Sequence, residues 1–273
     1  MLPGGLWESE TRHRSYAFKP LTGHLELAIS EGATDRSNSV AATLPERVSR
    51  ILAAAVSDVG GLPLTVERAQ ELSVADRQFL MRRLAALLGR DDVWLSASCG
   101  ACEERFDLFV RQSELPNQEA GADYPFVDLE NEHGRCRLRV PNGRDQTAIA
   151  GLADPQDARW TLAERCFVEG EGRWSSPQRH EEWLSAVDKA LDAESPQVAL
   201  TASTQCPECG ADNDVALDPY LVLQAVFSRV IDDIHSLASA YHWSEREILS
   251  LPTERRRLYL ELLDRGVTHD EAP

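Results

Sequence analysis

Val93-Trp-Leu-Ser-Ala-Ser-Cys99-Gly-Ala-Cys102-Glu-Glu-Arg-Phe-Asp-Leu-Phe-Val110 reads as a strand, a tight turn and a second strand. Aromatic and β-branched residues flank a cysteine pair set in the turn. Two residues between cysteines let both thiolates face one ion, and the turn's amides stabilise the charge on sulfur. A second unit of the same kind follows: Val198-Ala-Leu-Thr-Ala-Ser-Thr-Gln-Cys206-Pro-Glu-Cys209-Gly-Ala-Asp-Asn-Asp-Val-Ala-Leu217. Cys99, Cys102, Cys206 and Cys209 together predict a closed four-sulfur Zn2+ site of the zinc-ribbon kind, structural rather than catalytic. Residues 103–205 separate the two pairs, far more than the usual ribbon spacing. A metal site tolerates this because loop-closure cost grows only logarithmically with length. Residues 111–197 then form an insertion that returns the chain to its starting point.

Other readings of the cysteines are weaker. A redox pair needs one CxxC at a helix N-terminus, not two in hairpins. His180-Glu-Glu182 followed by Cys206-Pro-Glu-Cys209 imitates the order of a zinc deaminase. That signature has proline where Gln205 stands, and it leaves Cys99 and Cys102 idle. Cys136 and Cys166 lie in apolar patterns and read as small core residues. GxSxG, P-loop, HExxH and GxGxxG motifs are absent from the sequence, so an enzyme is not expected.

Working outward, residues 1–44 read as a loose arm, with a polar loop at Glu31–Ser39. Residues 45–89 read as a helical hairpin. Its first helix buries Val48, Ile51, Leu52, Ala55 and Val59 and ends at Gly60-Gly61. Its second is capped by Ser73 with Asp76 three positions on, and stops at Gly89. Residues 90–110 and 198–217 are the ribbon hairpins. Within 111–197, a hairpin runs from Phe126 to Val140, with Cys136, Leu138 and Val140 alternating with Arg135, Arg137 and Arg139. Helices there start at Asp154-Pro155 and Ser176-Pro177. Residues 218–273 read as a C-terminal helical element. A long helix from Asp218-Pro219 carries a stripe of Phe227, Val230, Ile231, Ile234, Leu237, Ala238 and Tyr241. Ser244 and Glu247 form a capping box. A last helix capped by Thr253 carries Leu258, Tyr259, Leu262 and Leu263 and ends at Gly266. The fold class is therefore α+β, with zinc-ribbon-like hairpins carrying a helical insertion between an N-terminal helical hairpin and C-terminal helices.

The chain has 273 residues, 42% of them hydrophobic, and a formal net charge of −17. It is long enough for one large domain or two small ones. Phosphate backbones are repelled by such charge, so nucleic-acid binding is not expected. Acidity also argues against reading Trp243-Ser-Glu-Arg-Glu-Ile-Leu249 as a DNA-binding helix-turn-helix. No apolar run is long enough for a membrane span, and residues 1–14 hold no apolar stretch of a secretory signal. The expected location is cytoplasmic.

Several stretches in order carry a resemblance. They are Leu21-Thr-Gly23, Leu72-Ser-Val-Ala-Asp-Arg-Gln-Phe-Leu80, the Cys99/Cys102 pair and Leu138-Arg-Val-Pro-Asn-Gly-Arg-Asp-Gln146. Arg165-Cys-Phe-Val168 follows, then the Cys206/Cys209 pair leading into Leu217-Asp-Pro219. Last is His235-Ser-Leu-Ala-Ser-Ala-Tyr-His-Trp-Ser-Glu-Arg-Glu-Ile-Leu-Ser-Leu-Pro252 with Arg255-Arg256 and Tyr259-Leu260. Together they resemble baseplate-associated proteins of contractile phage tails and extracellular contractile injection systems, and are similar to T-even phage baseplate hub assembly proteins. The final element also resembles small tail-assembly chaperones. Asn142 departs from the pattern, which has threonine there.

The resemblance implies a non-enzymatic baseplate component or assembly factor with baseplate or hub proteins as partners. Tyr241, Trp243, Ile248, Arg255, Arg256 and Tyr259 are the candidate partner-binding residues, because interface anchors are enriched in Trp, Tyr and Arg. The alternative is a zinc-ribbon regulator that binds nucleic acid or a transcription component.

Overall fold

The computed structural model describes residues 1–33, 42–131, 134–172, 181–220 and 229–270. The chain is a mixed α+β protein, as its sequence predicts. Its N-terminal residues are not a loose arm. Leu6–Glu8 (β1) pairs with Thr11–His13 (β2), and Tyr16–Phe18 (β3) joins a second sheet before helix Gly23–Ala33 (α1). Leu2, Leu6, Leu25 and Ile29 are buried. The order comes from a distant residue: the Gly4 and Gly5 amides donate to the two carboxylate oxygens of Asp76, each at 2.8 Å. Local periodicity carries no trace of such a tether. The predicted polar loop begins later than expected, since residues 31–33 close α1, and the rest of it lies outside the described residues.

Helix Leu44–Ala55 (α2) opens with a Thr43 capping box closed by Glu46 and buries Val48, Ile51, Leu52 and Ala55. It ends earlier than expected. Val56–Val59 (β4) leaves the helix as a strand between β3 and Leu62–Pro63 (β5). The β-branched Val56 and Val59 suit a pleated, buried position better than a helix. Helix Val66–Glu71 (α3) then leads into Val74–Leu87 (α4). Ser73 caps α4 through the Asp76 amide, as expected. At its far end Arg90 N–H reaches Ala85 and Gly89 N–H reaches Ala86, a Schellman closure with Gly89 at φ +72°. These elements share one core that includes Leu52, Phe79, Leu80 and Leu84.

Asp92–Ser98 (β6) and Arg105–Arg111 (β7) form the first ribbon hairpin. The insertion is pinched at its base, where Asn117–Gln118 (β8) pairs with Gln197–Val198 (β12). Between them Phe126–Asn131 (β9), Gly134–Arg139 (β10) and Phe167–Gly172 (β11) make a sheet in the order β11-β10-β9. Helices Gly143–Ile149 (α5), Pro155–Cys166 (α6) and Glu181–Glu194 (α7) complete the insertion. Cys136, Leu138 and Val140 are buried, as the alternation predicts. Cys136 and Cys166 belong to the core under this sheet with Trp183 and Val187. The expected Ser176-Pro177 start lies outside the described residues.

Thr201–Gln205 (β13) and Asp212–Ala216 (β14) form the second ribbon hairpin. The described C-terminal helices are Arg229–Tyr241 (α8), Glu245–Ser250 (α9) and Thr253–Asp270 (α10). The expected stripe on α8 holds in part: Val230 and Leu237 are buried, Ile231 is exposed, and Phe227 lies outside the described residues. The helical backbone of α10 runs past Gly266 to Asp270, and Leu258 and Leu262 are exposed, against expectation. The reason is where α10 lands. It packs on α8 with Thr253 and Arg256 buried, and Leu258 and Leu262 lie toward solvent.

Candidate metal centre

Each cysteine pair sits in the turn of its own hairpin, and the two turns have the same backbone pattern. In the first, Cys99 N–H donates to Glu104 and Glu103 N–H returns to Cys99. In the second, Cys206 N–H donates to Ala211 and Gly210 N–H returns to Cys206. The residue after the second cysteine of each pair is left-handed: Glu103 at φ +63° and Gly210 at φ +73°. Glycine fits that conformation without strain; Glu103 adopts it with a Cβ.

The two hairpins bring the four Sγ atoms within 4.8 Å of one another. Cys99 and Cys209 sulfurs lie 3.6 Å apart, and those of Cys102 and Cys206 lie 3.7 Å apart. Sulfur–zinc bonds of about 2.3 Å in a tetrahedron imply sulfur–sulfur separations of about 3.8 Å, whereas a disulfide needs about 2.05 Å. The spacing is that of ligands around an ion, not of bonded pairs. Cys99 and Cys206 are buried, and Cys102 and Cys209 lie nearer the surface.

Electrostatics point the same way. The Cys102 and Ala101 amides pull the Cys99 thiol down to about 6. The Glu104 amide also favours the Cys102 thiolate, but the Cys209 sulfur and its neighbours outweigh it and push that thiol up to about 12. Four crowded sulfurs cannot all ionise unless a cation joins them. Asn213 ties the two turns together. Its Oδ1 accepts from Gly100 N–H at 2.9 Å while its Nδ2 lies 3.6 Å from Cys99 Sγ. Sequence reading passed over Asn213, although its place just beyond the second cysteine pair was a usable signal.

The four cysteines can therefore hold a metal ion, and four protein sulfurs leave a tetrahedral ion no open position. His180 lies outside the described residues. Cys136 and Cys166 stay in the second core, away from the cluster. Burial raises both thiols, Cys166 to about 12, so neither is a ready ligand or nucleophile.

The six residues expected at a partner surface divide. Ile248 is fully buried and Arg256 is 2% exposed, so these two are not surface anchors. Both face inward because α9 and α10 close over α1. Arg256 ion-pairs with Glu26 and with Asp233, and Thr253 Oγ1 donates to Glu26 at 2.5 Å. Tyr241, Trp243 and Tyr259 are half-buried and touch one another, with Tyr241 stacked on Trp243 at 4.9 Å and Tyr259 edge-on to Trp243 at 4.9 Å. Arg255 is exposed.

A set of buried polar residues escaped the sequence reading. Arg77 is fully buried and donates to Gln146, Ser49 and the Ala69 and Pro45 carbonyls. Asp145 is fully buried between Arg139 and Arg165. The cap spacing in Asn142-Gly-Arg-Asp145 was the available signal, and Asn142 does cap α5 through the Arg144 and Asp145 amides. No family model, curated protein or solved structure matches this chain.

Proposed function

We propose that this chain is a non-enzymatic structural component or assembly factor of a contractile, phage-tail-like particle, with a structural zinc ion held by Cys99, Cys102, Cys206 and Cys209. The four-sulfur cluster carries the metal part of the reading. Four cysteine ligands with no acid or histidine among them suit zinc, and a closed site suits structure rather than chemistry.

The particle part rests on the resemblance. Leu21-Thr-Gly23 meets Pro252 and Thr253, with a bridge between Thr22 and Pro252 and a bond from Thr253 N–H to the Leu21 carbonyl. Leu72–Leu80 meets Leu138–Gln146, with a bridge between Ser73 and Asn142. These stretches therefore meet at seams of the fold. The exposed Arg255 and the half-buried Tyr241, Trp243 and Tyr259 are the remaining candidates for contact with a hub or baseplate protein.

A regulator of nucleic acid gains no support from the basic strand β10. Arg139 is paired with Asp145, and Arg137 lies over the Phe126 ring at 4.5 Å. The reading is tested in the cells that make the protein. Deleting its gene should stop assembly of sheathed particles, and the tagged chain should co-sediment with particles or with their hub proteins. Normal particles formed without it would overturn the assignment.

A further inference from the structure

The helix pair α3–α4 and the helix pair α9–α10 share one pattern of caps, turn and bridge. Thr65–Leu80 aligns with Ser244–Tyr259 residue for residue without a gap. Each begins with a hydroxyl cap, Thr65 or Ser244, on a six-residue helix. Each short helix ends on an extended leucine, Leu72 or Leu251. The next residue, Ser73 or Pro252, makes an isolated bridge to a distant cap residue, Asn142 or Thr22. A glycine follows that distant residue, Gly143 or Gly23. A Cβ at either would collide with the guanidinium of the fully or almost fully buried arginine of the unit, Arg77 or Arg256. Arg77 donates to Gln146, and Arg256 to Glu26, which holds the corresponding place on its helix.

The two copies differ in what meets the buried arginine. In the first, the half-buried Tyr220 sits at this junction. It packs against the N-terminal core, and burial raises its phenol while Arg77, Gln146 and Gln78 are near enough to favour the ionised form. The corresponding residues of the second copy are Glu26, Arg257 and Arg256. Instead of meeting a tyrosine they line, with Arg90, Asp233 and Leu260, an open cleft of about 300 Å³. Nη1 of Arg256 is buried beside Gly23 without a hydrogen-bond partner among the described residues.

We propose that this cleft receives a tyrosine side chain from a partner polypeptide, as Tyr220 fills its twin. The chemistry selects a phenol. Its hydroxyl can donate to Glu26 and accept from the arginines, while its ring lies against Leu260. A carboxylate would face Glu26 and Asp233, and an ammonium would face Arg256 and Arg257. The volume is at the small end for ligand pockets, which suits one inserted side chain. This inference does not depend on the contractile-particle reading, so the two can fail separately.

The test titrates acetyl-Leu-Asp-Pro-Tyr-amide, which reproduces the segment ending at Tyr220, into the full-length zinc-loaded chain, followed by amide chemical shifts. Saturable shifts should centre on Glu26, Thr253 and Arg257, with a dissociation constant of about a millimolar for a single anchored side chain. The phenylalanine peptide should bind about tenfold more weakly. Arg257→Gln, which restores the residue of the twin, should keep binding, and Arg257→Glu should abolish it. Leu260→Trp should fill the cleft and abolish binding while leaving the melting temperature unchanged. Should the tryptophan variant fail to fold, the exposed Arg257 pair decides alone. Absence of saturation, equal binding of the phenylalanine peptide, or displacement of the peptide by inorganic phosphate would overturn the proposal.

Discussion

Around the four sulfurs, the buried hydrophobic set among the described residues is Cys99, Phe106, Cys206 and Val215. The N-terminal core, by contrast, buries Leu2, Leu6, Ile51, Leu52, Leu80, Leu84 and many more in one continuous cluster. Two short hairpins with so small a core do not hold themselves together in water. The N-terminal region can rely on apolar burial, at about 25 cal/mol per Å². On the metal-site reading the ribbon would depend on an ion held by its four cysteines, whereas the rest of the chain depends on packing and on a few buried polar seams.

That contrast is broken or sharpened by four experiments of decreasing size. Removing the metal with a chelator, or replacing Cys206 with Ser, should abolish ordered structure in β6–β7 and β13–β14. The expected loss is about 10 kcal/mol of binding-linked stability. Hydrogen exchange should show the N-terminal core still protected. Exchange that rises equally everywhere would show that the ion supports the whole fold, and the contrast would fall. Leu52→Ala should act in the opposite sense, costing about 4 kcal/mol by the cavity it leaves, with metal content unchanged. Denaturant unfolding with metal analysis of the folded variant checks both.

Asp145→Asn comes third. It leaves two partly exposed arginines without their shared acid, at a cost of about 3 kcal/mol. Burial alone would raise the Asp145 pKa, but bonds from Arg139, the Asn142 amide and Arg165 hold it below the ordinary value. Its contribution is therefore fully present above the unfolded carboxylate pKa of about 4, and it is lost as pH falls through the lower folded value. The asparagine variant should show a flatter stability profile below about pH 4. An unchanged acid limb would mean that this seam carries no weight. Gly89→Ala is the smallest, about 1 kcal/mol, because φ is +72° at the Schellman closure. A thermal melt should detect it, with zinc retained.

What could be read from the sequence followed the range of the forces involved. The ribbon hairpins and the caps at Ser73 and Ser244 are local: a spacing of two between cysteines, or of three between cap and acid, is visible in a few residues. The N-terminal strands were missed because they are three residues long and their order comes from Asp76, far along the chain. Val59 continued a helical spacing but entered a strand, since the sheet partner β3 was itself unseen. The C-terminal element misled in another way. Periodicity reported that Ile248 faces something, but not that this something is α1 of the same chain. Arg256 read as a surface cation because its acids, Glu26 and Asp233, are contributed by two other helices.

The central claim is that the four cysteines form one closed zinc site. Native mass spectrometry of the intact chain, purified without added metal, tests it most directly. The account predicts one zinc per chain, lost in Cys206→Ser and kept in Cys136→Ala. A metal-free, folded chain whose four cluster thiols all react freely under reducing conditions would contradict it.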